Sequence, residues 1–211
     1  HMADYAAALD RLREADVLYP CFCTRQEIAA EIAAATNAPH GPDGPLYPGT
    51  CRGLTARERT ARMDRGQPYA LRLDAAAAAR LTGPLSWQED GRGTVAVEPG
   101  KLGDAVLARK DVAASYHLAV TVDDALQGVT LVTRGEDLFH TTHLHRLLQA
   151  LLGLAVPGYR HHILLTNADG RRLAKRDGAL ALRALRLAGR SPDEVRAMAG
   201  FPGLAMPVAA S

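Results

Sequence analysis

Apolar residues recur with a helical period near the start of the chain. When residues 5–18 are placed on a helix with 3.6 residues per turn, Ala8, Leu9 and Leu12 fall on one face and charged residues lie between them. The pattern therefore predicts an amphipathic helix. The apolar residues 17–19 that follow predict a short buried strand.

Capping signals mark the starts of three further helices. Thr24, with Glu27 three residues later, predicts a helix that runs to about residue 35. Thr55 begins a shorter helix, and Ser191 followed by Pro192 begins another. Residues 37–48 are rich in proline and glycine and predict a loop. The helix after Thr55 carries a basic face, formed by Arg57, Arg59, Arg62 and Arg65.

Short apolar runs bounded by turn residues predict strands in both halves of the chain. A helical pattern at residues 142–152 ends at Gly153, and another covers residues 179–188. The alanine-rich residues 74–80 fit either a helix or a loop. Strands that alternate with helices in this way predict an α/β fold. The predicted strands lie at residues 69–73, around Trp87, and at residues 95–97, 105–107, 117–122, 129–133 and 159–165.

Composition narrows the class of protein. The 211 residues are 47% hydrophobic and 23% charged, which is typical of a globular chain that buries a core and excludes intrinsic disorder. A net charge of +2 does not indicate an indiscriminate nucleic-acid binder. There is no apolar run of membrane-spanning length and no secretory signal, so we expect a cytoplasmic protein without a membrane partner.

The three cysteines are the first candidate for chemistry. Cys21 and Cys23 form a Cys-x-Cys pair, and Cys51 lies beyond the loop. Three thiolates would hold a zinc ion if a fourth ligand joined them. The alternative is that they are buried as small hydrophobic residues that never meet. The spacing leaves the fourth ligand open among His40, Asp43 and Tyr47.

A basic segment at residues 171–178 contains Lys175. Mobile cationic side chains of this kind can stabilise the charge that develops on a leaving pyrophosphate. On the residues alone, the alternative of a solvated turn is favoured.

Tyr116 and Arg134 stand at the ends of two apolar runs. If those runs are neighbouring strands, both side chains emerge at one end of the sheet, where an arginine is suited to clamp a carboxylate. The alternative for Arg134 is a salt bridge at the sheet edge. We interpret the three nearby histidines as surface or capping residues. The acids available for that bridge are Asp123, Asp124, Glu136 and Asp137, and the histidines are His140, His143 and His145.

Six segments in a fixed order resemble the glutamyl-tRNA synthetase family of class I aminoacyl-tRNA synthetases. The resemblance covers residues 5–202, nearly the whole chain. It extends most closely to a short branch of that family that has no anticodon-binding domain. The segments are Tyr19-Pro-Cys-Phe-Cys-Thr-Arg, Tyr47-Pro-Gly-Thr-Cys-Arg, Gly103-Asp-Ala-Val-Leu-Ala-Arg, Tyr116-His-Leu-Ala-Val-Thr-Val-Asp-Asp, Val132-Thr-Arg-Gly-Glu-Asp-Leu and Arg172-Leu-Ala-Lys-Arg.

The resemblance implies roles for particular residues. Tyr116 and Arg134 fall on positions that bind glutamate, and Lys175 falls on the ATP-contacting catalytic lysine of the KMSKS-type loop. One structural zinc ion per chain is implied, with ATP and Mg²⁺ as further ligands. The implied zinc ligands are Cys21, Cys23, Tyr47 and Cys51.

The resemblance also implies a domain plan. The expected fold is an incomplete Rossmann-type class I catalytic domain with a zinc-binding insertion and a short helical C-terminal segment. Residues 1–20 are the remainder of the first Rossmann half, and residues 21–100 are the insertion, which faces RNA. Residues 101–165 are the second half, and residues 166–211 hold the KMSKS-type loop and the last helices. The part with the HIGH-type motif does not occur in this sequence, so we expect these residues alone not to activate glutamate.

The implied reaction has two steps. ATP and L-glutamate form glutamyl-adenylate, and the glutamyl group is then transferred to RNA. In the short branch, the acceptor is the queuosine base of tRNA(Asp), and we expect a monomer. Two alternatives are a catalytically incomplete, zinc-stabilised RNA-binding fragment and a truncated synthetase that charges tRNA(Glu).

Overall fold

A computed structural model of the chain describes residues 1–34, 40–41, 44–101, 103–109, 113–166, 173 and 181–201. Lys175, Asp43 and the basic segment around residue 171 lie outside the described residues, and so does the side chain of His40. The chain divides into two compact units, His1–His162 and Ile163–Ser211. The two units are described separately below.

The first unit alternates helices and strands along most of its length. Its helices are α1 (Met2–Glu14), α2 (Arg25–Ala34), α3 (Ala56–Asp64), α4 (Ala75–Thr82), α5 (Tyr116–Leu126) and α6 (Thr141–Leu152). Its strands are β1 (Leu18–Cys21), β2 (His40–Gly41), β3 (Gly44–Pro45), β4 (Ala70–Leu73), β5 (Ser86–Glu89), β6 (Gly93–Ala96), β7 (Val106–Arg109), β8 (Leu131–Gly135) and β9 (Gly158–His162). The second unit contains α7 (Leu182–Leu187) and α8 (Pro192–Met198).

Two sheets organise the first unit. Strands β1, β4 and β7 form an antiparallel sheet in that order. The second sheet has the order β6-β5-β9-β8, in which β9 runs parallel to both β5 and β8. The predicted α/β fold is therefore confirmed. Residues 86–96, assigned from the sequence to the insertion, share this second sheet with β8 and β9, and the domain boundaries stay a prediction.

The main hydrophobic core is formed by helices packed on the sheets. Leu12 of α1, Leu118 of α5 and Leu148 of α6 are fully buried together with Leu73 and Leu107 from the antiparallel sheet. Burial of this kind stabilises the fold by about 1.5–3 kcal/mol for each large apolar side chain. Because α5 and α6 pack in this core, the residues at their N-termini have fixed positions.

The capping signals in the sequence are confirmed. The Thr24 hydroxyl accepts a hydrogen bond from the Glu27 amide, and the Glu27 carboxylate accepts one from the Thr24 amide. Thr55 and Ser191 form the same reciprocal pairs with Glu58 and Glu194. The helix that ends at Gly153 is also confirmed, since this glycine adopts the left-handed conformation that a side chain disfavours.

The prediction of a strand at residues 117–122 is wrong. These residues lie in α5, whose N-cap Ser115 accepts a hydrogen bond from the Leu118 amide. The buried positions Leu118, Thr121 and Val122 have helical spacing, but a short apolar run does not by itself distinguish a helix from a strand. The ambiguous residues 74–80 are also mainly helical, because the Asp74 side chain caps α4. No helix among the described residues is long and apolar enough to cross a membrane.

Asp104, which lies just before β7, bonds to residues from three other segments of the chain. Its buried carboxylate accepts hydrogen bonds from the Tyr19 hydroxyl at 2.5 Å and from the Ala75 amide at 3.1 Å. Arg52 forms an ion pair with it at 3.1 Å. Tyr19 and Arg52 lie close in sequence to Cys21 and Cys51, so this carboxylate anchors the segments that carry two of the cysteines.

Candidate functional site

The three cysteines come together at one end of β1. Their sulfur atoms all lie within 4.8 Å of one another, and those of Cys23 and Cys51 are 3.4 Å apart. Cys21 is the last residue of β1, and Cys51 lies in a 3-10 turn at Thr50–Gly53. The Phe22 amide donates a hydrogen bond to the Cys51 sulfur, which fixes that turn against the strand. The alternative in which the cysteines never meet is therefore wrong.

Tyr47 lies beside the three sulfur atoms. Its hydroxyl is 3.8 Å from the Cys23 sulfur and accepts a hydrogen bond from the Cys51 amide at 2.8 Å. The Arg72 guanidinium packs on its ring at 3.9 Å from the ring centre. Gly49 permits the turn between Tyr47 and Cys51, since it has a φ of +93° and a side chain there would meet Arg52.

We call Cys21, Cys23, Cys51 and Tyr47 the cysteine cluster. Their surroundings shift the pKa values of these residues in different directions. Burial alone would raise the pKa of the Cys21 thiol, but hydrogen bonds to Tyr47 and Arg72 lower it below its ordinary value. Burial and the contact with Cys51 raise the pKa of Cys23 to about 12. Burial and the bond to Cys21 also raise the pKa of the Tyr47 hydroxyl. Thiols held this close would be stabilised as thiolates by a cation.

The spacing fits a zinc ion. A zinc–sulfur bond of about 2.3 Å implies sulfur–sulfur distances of roughly 3.8 Å in a tetrahedral site. The sulfur atoms all lie within 4.8 Å of one another, which is close to that value, and the Tyr47 oxygen is 3.8 Å from the Cys23 sulfur. The cluster can thus hold a metal with small side-chain adjustments.

Arg134 is the centre of a second group of polar residues. It lies near the end of β8, and three of its nitrogen atoms are hydrogen-bonded to side chains of α6 and β9. Nε donates to His161 at 3.0 Å, Nη1 donates to Nδ1 of His145 at 3.0 Å, and Nη2 donates to the Thr142 hydroxyl at 2.5 Å. These three hydrogen bonds therefore fix the orientation of the guanidinium plane.

Two further residues extend this group in opposite directions. The buried carboxylate of Glu89 on β5 accepts hydrogen bonds from the His161 amide at 2.8 Å and from its ring Nδ1 at 3.0 Å. On the other side, Nε2 of His145 is 3.1 Å from Nδ1 of His117. We call Glu89, His161, Arg134, Thr142, His145 and His117 the arginine–histidine network.

The network holds its histidines in the neutral form. Burial lowers the pKa of His145 well below its ordinary value, and the nearby Arg134 charge adds to this effect. Burial also lowers the pKa values of His117 and His161, although Glu89 opposes the change at His161. Burial alone would raise the pKa of Glu89, but the His161 amide, the Trp87 indole and the His161 ring lower it overall. The carboxylate stays charged and the rings stay neutral.

Tyr116 and Arg134 are brought together, although not as the sequence predicted. Tyr116 is the first residue of α5 rather than the end of a strand, and its exposed ring meets the edge of the His145 ring at 6.1 Å. Both residues thus contact His145 from different sides. A cavity of about 460 Å³ adjoins Tyr116, with Arg109, Ser115 and His117 also in its wall.

Two interpretations from the sequence need correction. His143 and His145 are not surface or capping residues, since each is only 3% exposed, and His143 accepts a hydrogen bond from the Glu98 amide. Among the described residues, no ion pair joins Arg134 to a carboxylate, so the predicted alternative of an edge salt bridge is wrong. The partners of Arg134 are instead neutral side chains.

Sequence reasoning missed Glu89, His161 and Thr142. Each was assigned to an ordinary strand or helix position, and none lies near Arg134 in the sequence. The one available signal was Glu89 two residues after Trp87, on the same face of an alternating strand, because a buried carboxylate is rare unless it has a partner.

Together, the sheet with parallel strands, the helices α5 and α6 beside it, and a polar group of side chains at the end of β8 define an α/β domain with a candidate site at a strand end. The family model described as tRNA synthetases class I (E and Q), catalytic domain, matches residues 1–200. The chain therefore belongs to this family, and its sheet is Rossmann-like.

The most similar proteins include three curated relatives, each called glutamyl-Q tRNA(Asp) synthetase. The relative from Nocardia farcinica is 48% identical over 92% of this chain and 58% of its own length. The one from Rhodobacter capsulatus is 45% identical over 93% of this chain and 72% of its own length. For Symbiobacterium thermophilum, the values are 45%, 90% and 57%. This chain thus spans about three fifths to three quarters of the length of these relatives.

A solved structure supports the same fold. The glutamate-tRNA synthetase of Elizabethkingia anophelis superposes with a TM-score of 0.67 at 26% identity. The match covers 84% of this chain and 36% of the synthetase chain. The similarity therefore concerns one part of a longer protein.

Proposed function

We propose that this chain provides part of the catalytic domain of a ligase that activates L-glutamate with ATP and transfers the glutamyl group to the queuosine base of tRNA(Asp). The observation that carries the proposal is that hydrogen bonds fix the orientation of Arg134, while Tyr116, which lines the cavity, contacts the same histidine, His145. The names of the relatives support the choice of acceptor. Such a ligase acts where tRNA is present, so the expected compartment is the cytoplasm.

Arg134 is suited to hold a carboxylate of glutamate. A guanidinium has five N–H groups, and the bonds to His161, His145 and Thr142 use one on each nitrogen. One N–H therefore remains on each terminal nitrogen within the described residues. Two such donors in a fixed plane match the two oxygens of a carboxylate. The exposed hydroxyl of Tyr116 is available to bind the same ligand.

The chemistry proceeds by displacement at phosphorus and then at carbon. A carboxylate oxygen of glutamate attacks the α-phosphorus of ATP, and pyrophosphate leaves with its electron pair. The acceptor on the queuosine base then attacks the activated carbonyl, loses a proton, and releases AMP. Neither step needs a protein nucleophile, so positioning and charge stabilisation carry the catalysis. We assign Lys175 to the phosphates, together with Mg²⁺.

The cysteine cluster is assigned a structural role. One zinc ion held by Cys21, Cys23, Cys51 and Tyr47 would fix the segment between β1 and β4, which carries the basic helix α3. This segment is the proposed RNA-facing insertion, within residues 21–100. When bound, the zinc would supply cross-linking of these loops rather than chemistry.

The proposal can be tested in a chimera. The segment of the Nocardia farcinica relative that aligns with this chain is replaced by this chain, and transfer of labelled glutamate is measured on tRNA(Asp) with queuosine, tRNA(Asp) without it, and tRNA(Glu). We expect transfer to the queuosine-containing RNA alone. Arg134→Lys should raise the KM for glutamate at least about tenfold, because lysine lacks the planar pair of donors.

Arg160→Lys is the matched control, since Arg160 lies on the neighbouring strand β9 but is exposed. Its KM should equal that of the unchanged chimera. Charging of tRNA(Glu) would instead support the truncated-synthetase alternative. A folded chimera that binds RNA but transfers no glutamate would support the RNA-binding fragment.

A further inference from the structure

The arginine–histidine network contains more polar groups than carboxylate binding alone requires. Glu89, His161 and His145 have side chains that lie behind Arg134, away from solvent, and the side chains of Glu89 and His161 are fully buried. Buried polar groups of this kind are costly unless each has a partner. The partners of each histidine ring determine which of its nitrogen atoms carries the proton.

The direction of every hydrogen bond on the Glu89 side follows from Arg134. A guanidinium can only donate, so Nε2 of His161 must be the acceptor and carry no proton. A neutral His161 then carries its proton on Nδ1, and this N–H points to the Glu89 carboxylate at 3.0 Å. Glu89 also accepts from the His161 amide and the Trp87 indole. The carboxylate therefore selects one tautomer of His161.

The proton positions on His145 and His117 follow in the same way. Nδ1 of His145 accepts from Arg134, so a neutral His145 carries its proton on Nε2. That N–H donates to Nδ1 of His117 at 3.1 Å, and the proton of His117 must then be on Nε2. His117 is one of the residues that line the cavity beside Tyr116. The chain of bonds thus runs from a buried carboxylate to the cavity wall.

We propose that Glu89, His161 and His145 are positioning residues, and that the Glu89 carboxylate sets one tautomer of His161, which in turn orients the Arg134 guanidinium toward its ligand. The tautomers of His145 and His117 follow from the same orientation. The orientation of Arg134 follows from these hydrogen bonds. Its consequence, a higher affinity for glutamate, rests on the function proposed above.

Packing around His161 explains why the arrangement resists rearrangement. The Tyr159 ring stacks parallel to the His161 ring, and Phe139 meets its edge at 5.1 Å. The charged groups that face His161 are Glu89, Arg134 and Glu136. Protonation of His161 would place a second donor against the Nε–H of Arg134, which would break the bond that orients it. Thr142 completes the set, since its hydroxyl accepts from Arg134 and lies 3.4 Å from Nε2 of His161.

The first test reads the tautomers directly and needs no enzyme activity. Nitrogen-15 NMR of the 211-residue chain at neutral pH distinguishes protonated from bare imidazole nitrogens, and single histidine-to-glutamine variants assign the signals. We expect the proton on Nδ1 of His161 and on Nε2 of both His145 and His117. A charged His161, or a proton on its Nε2, would overturn the proposal.

The second test removes the charge that sets the tautomer. Glu89→Gln keeps the shape but replaces one acceptor oxygen with a donor, so it should abolish the exclusive Nδ1–H signal of His161 and shift the Nε–H signal of Arg134. Glu98→Gln is the matched control, because Glu98 is 61% exposed and its side chain pairs with Lys101. If both variants leave the His161 and Arg134 signals unchanged, Glu89 does not set the tautomer.

The third test measures the consequence for the ligand in the chimera described above. His161→Leu removes the acceptor for Arg134, whereas His161→Gln retains an amide oxygen near the position of Nε2. The leucine variant should raise the KM for glutamate about 10- to 100-fold, since a hydrogen bond to a charged group is lost, and the glutamine variant should recover part of that loss. The kcat should change less than the KM. Equal KM values in the two variants would contradict the positioning role.

The proposed function and the role of the network can fail separately. If the unmodified chimera transfers no glutamate, the proposed function fails, while the tautomers and the Glu89→Gln response still decide the proposal for the network. If the chimera is active but Glu89→Gln changes neither the NMR signals nor the KM, the network proposal fails and the function stands.

Discussion

The cysteine cluster and the arginine–histidine network are both groups of partly or fully buried polar side chains, but they are built differently. The cluster lies at the end of β1 and in the turns that follow, where only a small set of apolar residues packs around it. The network draws one or more residues from each of β5, α5, β8, α6 and β9, which form the second sheet and the helices beside it.

The two groups also differ in how their hydrogen-bonding capacity is satisfied. In the network, each described bond joins a donor to an acceptor within the protein, and the two N–H groups left on Arg134 are the donors assigned to the ligand. In the cluster, three sulfurs and a phenol face one another, and the Arg72 guanidinium lies beside Tyr47 and Cys21. Hydrogen bonds within the network fix the positions of its own side chains, whereas we propose that a bound cation completes the cluster.

The largest difference should appear when one ligand is removed from the cluster. Cys51→Ser should lower the zinc content from about one equivalent per chain to near zero, because a structural zinc site needs four ligands. The melting temperature should fall with it, since metal binding contributes to folding free energy. Metal analysis of protein prepared without chelator, with thermal unfolding by circular dichroism, measures both effects.

His145→Gln is the corresponding variant in the network, and the opposite result is expected for zinc. It should leave the zinc content unchanged while altering the environment of Arg134. If the unmodified chain holds less than half an equivalent of zinc, or if the two variants lose zinc equally, the distinction between the groups is wrong.

The same difference explains what could be predicted from the sequence. Cysteine is uncommon and chemically specific, so Cys21, Cys23 and Cys51 stood out, and their proximity is confirmed. The choice of Tyr47 among three possible fourth ligands came only from the family resemblance. Glu89, His161 and Thr142 could not be predicted, because their proximity depends on the register of β5, β9 and β8.

For the fold as well, local features could be predicted from the sequence, and features that depend on tertiary packing could not. Local signals such as the caps at Thr24, Thr55 and Ser191 predicted helix starts correctly. The error at residues 117–122 arose where the local apolar pattern fits both periods, and tertiary packing against Leu107 and Leu148 selects the helix. The interpretation of His143 and His145 as surface residues failed because helix α6 is buried on more than one side.

A smaller effect is expected from acid. Burial lowers the pKa values of His117, His145 and His161, so below about pH 6.5 the unfolded chain binds more protons than the folded chain. The free energy of unfolding should therefore fall as the pH drops below that value, by up to about 1.4 kcal/mol per pH unit for each histidine. Above it, these groups contribute no slope.

Urea unfolding of metal-free protein at several pH values measures this slope without interference from zinc release. Burial lowers the pKa of His143 as well, so four described histidines contribute to the slope. His145→Gln removes one of the four and should make the slope below about pH 6.5 shallower, whatever its effect on stability at higher pH. An unchanged slope would mean that His145 is not held neutral by its burial.

The smallest effect tests the fourth position of the cluster. Tyr47→Phe removes the oxygen that lies 3.8 Å from the Cys23 sulfur but keeps the ring that packs under Arg72. If this oxygen contributes about 1 kcal/mol, zinc should leave about fivefold faster to a competing chelator. Tyr69→Phe is the matched control, since Tyr69 contacts Phe22 but does not belong to the cluster, and it should not change the rate. Equal release rates for both variants would mean that Tyr47 is not the fourth ligand, and the protein contacts assigned to the ion would then be the three cysteines.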